Sequence, residues 1–189
     1  MGRVGSQSVA YSLFAQGYAA VHAHYLVNPL SAKDAQAKTM CNHLKKFPGS
    51  DLKVICLVRN PAKRNVSAYF ENKVDGKGTL SDFLVNYNHG IPDNWLKTEL
   101  EGLWRLNLEQ LGFNKKKGWL VHDDILIMKL EVLSTSWANG WTALTGNMDV
   151  PLLRRAGSSH KPTFEIPDSY VEYMSRSRCA QLFYETEEL

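Results

Sequence analysis

Residues 53–58 read Lys-Val-Ile-Cys-Leu-Val and stop at Arg59-Asn60-Pro61. The run is too short for a helix and lacks the alternation of a strand with one wet face. It predicts a strand covered on both faces, the habit of parallel sheets. Residues 125–130, Ile-Leu-Ile-Met-Lys-Leu, predict a second such strand. Pro61 is pre-organised for a first helical position, so a helix over 62–74 follows the first run. Apolar periodicity predicts further helices over 6–17, 34–46, 80–87, 95–111, 134–144 and 168–181. Residues 18–26, closed by Asn28-Pro29, read as a short strand. Helices alternating with buried strands imply an α/β fold, with three α/β/α layers around a short parallel sheet, in a single domain over residues 1–189.

Composition excludes several classes. In 189 residues, 44% hydrophobic and 22% charged side chains describe a globular chain rather than a disordered one. No apolar run approaches the roughly 18 residues of a membrane-spanning helix. Cys41, Cys56 and Cys179 have no CxxC spacing, so neither a disulfide framework nor a cysteine zinc site is indicated. The net charge of +3 suits an anionic ligand and is too small to argue for nucleic acid. The N-terminus has no signal-peptide pattern, and the unpaired cysteines favour a cytoplasmic protein.

Two segments have the chemistry of an anion site. Residues 2–8, Gly-Arg-Val-Gly-Ser-Gln-Ser, open directly into a predicted helix. Backbone amides at that helix start can cradle a phosphate, with the Ser6 and Ser8 hydroxyls able to donate and Arg3 supplying charge. The spacing is not Walker A, and an ordinary Ser-rich helix cap has the same composition. A phosphate loop also needs a strand ahead of it to aim its amides. Only Met1 stands there, so either that strand is missing through truncation or the segment is not such a loop. The second segment is Arg59 with Ser67. Arg59 ends a buried strand, where ligands bind in open α/β sheets, and Ser67 follows about two helical turns later. The plainer alternative makes Arg59 a helix-entry charge and Ser67 a small packing residue.

Together these segments resemble the sulfotransferase superfamily. That family uses a P-K-x-G-[ST]-[ST]-S loop for a 5′-phosphosulfate, then an R-x-P-x-x-R strand end and a helical Ser for a 3′-phosphate. Arg3 stands where the family usually has Lys and Gly2 where it has Pro, while Arg59, Pro61, Arg64 and Ser67 match the second motif. The chain looks most like the bacterial sulfotransferase-like family of capsular polysaccharide synthesis proteins. His22-Ala23-His24, Lys129-Leu130-Glu131-Val132-Leu133, Ser158-Ser159-His160-Lys161 and Phe183-Tyr184 fall in that family's order, with Lys129 in place of the more usual Arg.

The resemblance implies transfer of a sulfuryl group from 3′-phosphoadenosine 5′-phosphosulfate to a carbohydrate or polysaccharide hydroxyl, without a metal. It implies a donor site of Arg3, Gly5, Ser6, Gln7, Ser8, Arg59 and Ser67, with Ser159 and Lys161 closing over the 3′-phosphate end. Such transfer needs charge neutralisation at the leaving group, a task for Arg3, and a base beside the acceptor hydroxyl. His24 is the expected base and His22 its support, because an imidazole titrates near neutrality and residues two apart on a strand share a face.

Other readings remain. A His-x-His pair can bind a metal, with Cys41 and His43 as further ligands, and both histidines can be structural. Asp123-Asp124 reads as solvated loop charge, as do Lys115 to Lys117, and Trp95, Trp104, Trp137 and Trp141 as core. Asn65-Val66-Ser67 is formally a glycosylation sequon; a glycan there would crowd a phosphate on Ser67. The rival functions are another P-loop transferase, such as a small-molecule kinase, and a non-catalytic nucleotide- or glycan-binding module.

Overall fold

Both apolar runs form strands and lie side by side. In the computed structural model, which describes residues 5–44, 46, 51–71, 78–153 and 165–188, the strands are β1 (Val54–Val58), β2 (Trp119–His122) and β3 (Ile125–Lys129). β1 and β3 are parallel, with Val54 opposite Ile125 and Val58 opposite Lys129. All five residues of β3 are buried, which is why its apolar run is unbroken. The expected purely parallel sheet is corrected to a mixed one, in the order β1-β3-β2, because β2 pairs antiparallel with β3. The cause is a two-residue turn at Asp123-Asp124, where Asp123 takes a left-handed φ of 49°, a conformation aspartate tolerates better than most residues.

The strand expected over 18–26 is absent; that stretch is irregular. Its amides are taken by carboxylates instead of by a neighbouring strand. Asp34 Oδ1 accepts from the backbone N–H of His24 (2.7 Å) and Tyr25 (3.4 Å), and Glu99 accepts from Leu26 (2.8 Å) and Val27 (3.2 Å).

The helices are α1 (Ser6–Phe14), α2 (Ala32–Leu44), α3 (Pro61–Glu71), α4 (Leu80–Asn86), α5 (Ile91–Trp95), α6 (Leu133–Thr145), α7 (Asp168–Ser175) and α8 (Arg178–Phe183). α3 starts as its sequence demands: Asn60 Oδ1 accepts from the Lys63 N–H at 3.1 Å, capping a helix whose first residue is proline. The helix expected over 95–111 is shorter and wider. α5 runs into a π-helix, Leu96–Leu103, and Arg105 then turns left-handed at φ 55°. The helix expected over 168–181 divides at Ser177, whose hydroxyl accepts from the Ala180 N–H and starts α8.

α6 lies against β2 and β3, and Gly140 permits the approach: a Cβ there would stand 2.6 Å from Met128 Cε. Trp137 and Trp141 of α6 are buried, as are Val9 and Leu13 of α1, and all join β1 and β3 in one core. Cys56 and Cys179 belong to the same core; burial pushes the Cys56 thiol up to about 12 and raises that of Cys179 as well. A second cluster gathers Val66, Tyr69 and Phe70 of α3, Phe83 of α4, and Tyr170 and Met174 of α7. Asn65 is fully buried there and donates to the His89 carbonyl at 3.1 Å, so the formal sequon offers no accessible amide in the folded chain.

Lys129, the last residue of β3, is fully buried. Its ammonium donates to the Glu188 carboxylate at 2.6 and 2.8 Å and to the Lys115 carbonyl at 2.8 Å. The Tyr184 hydroxyl donates to Glu131 at 2.9 Å, and the other Glu131 oxygen accepts from the Asn60 N–H at 3.0 Å. This network ties the last turn of the chain to the end of β3 and to the cap of α3. Removing one partner of a buried ion pair strands the other charge. We therefore expect Glu188→Ala to lower stability by about 3 kcal/mol in chemical denaturation, with Lys129→Met/Glu188→Ala recovering most of the loss.

Candidate functional site

α1 begins without a side-chain cap. Its N-cap residue is Gly5, at φ 78°. A Cβ at this position would lie 2.6 Å from Leu130 Cδ1 and 3.8 Å from Leu57 Cδ1. Glycine is required here twice over, for its left-handed backbone and for this close approach. The same contacts fix where α1 starts: at the C-terminal ends of β1 and β3, the edge at which Arg59 follows β1. The first-turn amides of α1 lack intrahelical acceptors, as at any helix start, and no side chain of Gly5 intervenes. Ser6, the first helical residue, places its Oγ 2.9 Å from His22 Nε2. Gln7 is exposed and Ser8 half-buried, its carbonyl accepting from the Ser12 hydroxyl at 2.8 Å.

The two histidines meet although their segment is not a strand. The His22 and His24 rings stand edge to face with centroids 4.5 Å apart. The His24 carbonyl accepts from Trp95 Nε1 at 2.8 Å, and Lys38 Nζ donates to the Val27 carbonyl at 2.7 Å. With Asp34 and Glu99 these contacts hold residues 22–27 from both α2 and the π-helix. Burial, helped by the neighbouring His24, lowers the His22 pKa to about 4, so its imidazole is neutral near pH 7. Asp34 is 3% exposed. Burial alone would raise its pKa, but hydrogen bonds from the His24 N–H, the Ser31 hydroxyl and the Tyr25 N–H outweigh it and hold the carboxyl below its usual range. At the start of α2 the Ser31 hydroxyl donates to Asp34 Oδ2 at 3.0 Å and accepts from the Asp34 N–H at 3.1 Å.

Arg59 and Ser67 are both half-buried, Arg59 directly after β1 and Ser67 on α3. Arg64, which fits the same motif in sequence, is 4% exposed and donates to Tyr87 OH at 2.9 Å and to Asn65 Oδ1 at 3.0 Å, so it braces α3. Arg3, Ser159 and Lys161 lie outside the described residues. Asp34, Glu99 and Trp95 went unread in sequence as supports of the histidine segment. The only local signal was the Ser31-x-x-Asp34 spacing; Glu99 lies more than seventy residues from its partners.

A cavity of about 660 Å³ opens beside this cluster. Ser6, Val9 and Leu13 of α1, residues 18–24, Leu52 to Leu57 along β1, and Trp95 and Trp141 are among its walls. No group of three or more His, Cys, Asp or Glu with metal-holding geometry occurs among the described residues, and no described helix is long and apolar enough to cross a membrane.

The lowered pKa of His22 has a measurable consequence. Between pH 6.5 and about 4 the unfolded chain binds a proton that folded His22 refuses. Stability complete above pH 6.5 is therefore lost as pH falls through that window, by about 1–2 kcal/mol after solvent screening of a half-buried ring. The Asp34 contribution is present above the ordinary carboxylate range and is lost at lower pH still, as its depressed pKa is crossed. NMR titration should place His22 near pH 4, and His22→Gln should flatten the stability profile between pH 4 and 6.5.

The chain matches no protein-family model, and no curated protein and no solved structure proved similar to it.

Proposed function

We propose that the chain is a sulfotransferase-type enzyme, moving a sulfuryl group from 3′-phosphoadenosine 5′-phosphosulfate to a carbohydrate hydroxyl. The observation that carries this reading is the placement of the start of α1 and of Arg59 at one end of the sheet. The uncapped start of α1 abuts Leu57 through Gly5, and Arg59 emerges two residues later, at the end of β1. Helix-start amides favour an anion through their partial charge, and a guanidinium adds a full one. A phosphate at each end of one nucleotide uses both. The three-layer P-loop arrangement of that enzyme class is part of the same proposal.

In such a transfer the acceptor oxygen bonds to sulfur, the bond from sulfur to the bridging phosphate oxygen breaks, and the hydroxyl proton passes to a base. The residues present suit distinct parts of this work. Ser6 and the first-turn amides of α1 bind the 5′ side of the donor, and Arg59 with Ser67 binds the 3′-phosphate. His24 takes the proton. His22, held neutral by burial and fixed to Ser6, keeps the His24 ring in place without adding a competing positive charge. Arg3 is assigned the leaving phosphate, and Ser159 and Lys161 the outer side of the nucleotide. We assign the cytoplasm as the working compartment, on the strength of three cysteines with no disulfide-like spacing.

Calorimetric titration with 3′-phosphoadenosine 5′-phosphate tests the donor site. We expect binding by the wild type, a loss of at least about tenfold in Arg59→Ala and a smaller loss in Ser67→Ala. His24→Gln should keep nucleotide binding and lose sulfuryl transfer. No binding by the folded wild type overturns the donor site; binding without transfer to any sugar acceptor leaves a nucleotide-binding module.

A further inference from the structure

The cavity of about 660 Å³ runs lengthwise between α1 and β1. Its wall on α1 is Ser6, Val9, Ala10 and Leu13, the spacing of one stripe along a helix. Its wall on the sheet side extends from Leu52 to Leu57, about 16 Å at the rise of a strand. Glu99 also faces the cavity, but its carboxylate is committed to the Leu26 and Val27 amides. Ile55 is only half-buried, although Cys56 and Leu57 beside it are buried. Part of a core strand is thus uncovered inside the fold.

Polar groups stand at the two ends. At the N-terminal end of β1 they are spent on one another: Lys53 Nζ lies 2.8 Å from Asp51 and 2.7 Å from Asp124, and the Thr145 hydroxyl donates to the Trp141 carbonyl at 2.9 Å. At the other end Ser6 Oγ meets His22 Nε2 at 2.9 Å, and the His24 ring stands against His22. A serine hydroxyl has one donor and two acceptor sites, so this one bond leaves it capacity for a ligand. His22 is neutral near pH 7, and a neutral end suits hydroxyl groups better than an ion. Mostly apolar walls, a few polar groups that fix orientation and a volume of about 300–1,000 Å³ are the marks of a small-molecule site.

We infer that this cavity takes the apolar aglycone of an alkyl glycoside, with its sugar at Ser6, His22 and His24. The inference deepens the proposed function and rests on it for the sugar: an acceptor whose hydroxyl reaches His24 lays its apolar part along β1. Lipid-linked sugars, not free ones, are then the acceptor class. A free sugar would leave Val9, Leu13 and Ile55 facing water, and a plain hydrocarbon would leave the Ser6 end unused.

Calorimetric titration of the nucleotide-free chain with hexyl, octyl and decyl glucosides, each below its micelle concentration, tests the inference. Affinity should rise about fourfold per methylene through the series, and glucose should show no measurable binding. Ser6→Ala should weaken octyl glucoside by about fivefold and leave octanol unchanged. Ala10→Phe fills the cavity and should abolish binding of both while the melting midpoint holds. Ala10→Leu, a smaller filler should phenylalanine block folding, should weaken both by about fivefold. Affinity independent of chain length overturns the inference. So does unchanged binding by a folded Ala10→Phe or Ala10→Leu chain, which would put the alkyl group on the outer surface. Equal effects of Ser6→Ala on octyl glucoside and octanol overturn the placement of the sugar. None of these readouts involves a nucleotide, so failure here leaves the donor-site titration untouched, and failure there leaves the chain-length series untouched.

Discussion

Two buried carboxylates decide where the histidines go. Asp34 and Glu99 accept four successive backbone amides, from His24 to Val27, and so remove that stretch from any β ladder. A charge-assisted hydrogen bond is stronger than a neutral one, and these replace the pairing a strand would have made. Everything on that side of the molecule depends on this choice. It draws α2 and the π-helix together, brings His22 under Ser6 and sets the two imidazoles edge to face. It also keeps residues 18–24 clear of β1, which leaves a space where a sheet would ordinarily continue.

At the C-terminal ends of β1 and β3 the controlling interaction is again polar and buried. Lys129 sits where an all-apolar strand would carry another aliphatic residue, and its ammonium is answered by Glu188. Through Tyr184 and Glu131 the same network reaches the amide of Asn60. Burial pushes the Tyr184 hydroxyl far above its ordinary pKa, with Glu131 adding to the effect, so this phenol stays protonated and donating. The residues between β1 and α3 are thus held from below by the last turn of the chain.

Legibility in sequence followed the range of the interaction. β1 and β3 were readable because burial on both faces writes itself into five or six consecutive residues, and α3 because Asn60-Pro61 is a local start signal. β2 is four residues long with only Trp119 buried, so it left no run to see. The π-helix hides in an ordinary helical pattern. Residues 18–26 are apolar and β-like in composition, yet their conformation is set by acids ten and seventy-three positions away. Of the expected site, the Ser6–His22–His24 grouping and the proximity of α1 to β1 emerge only in three dimensions. Arg64 illustrates the reverse: it fits a motif in sequence but is spent inside the fold on Tyr87 and Asn65.

The burial of the sheet also sets the chain's redox behaviour. With a pKa near 12, the Cys56 thiol is ionised to about one part in 100,000 at pH 7, and the Cys179 thiol, fully buried on α8, is raised by the same cause. Thiolates, not thiols, react with peroxides and alkylating agents. Thiol oxidation in the folded chain is therefore directed to the half-buried Cys41 on α2, and the Cys56 thiol of β1 stays chemically silent until the core opens.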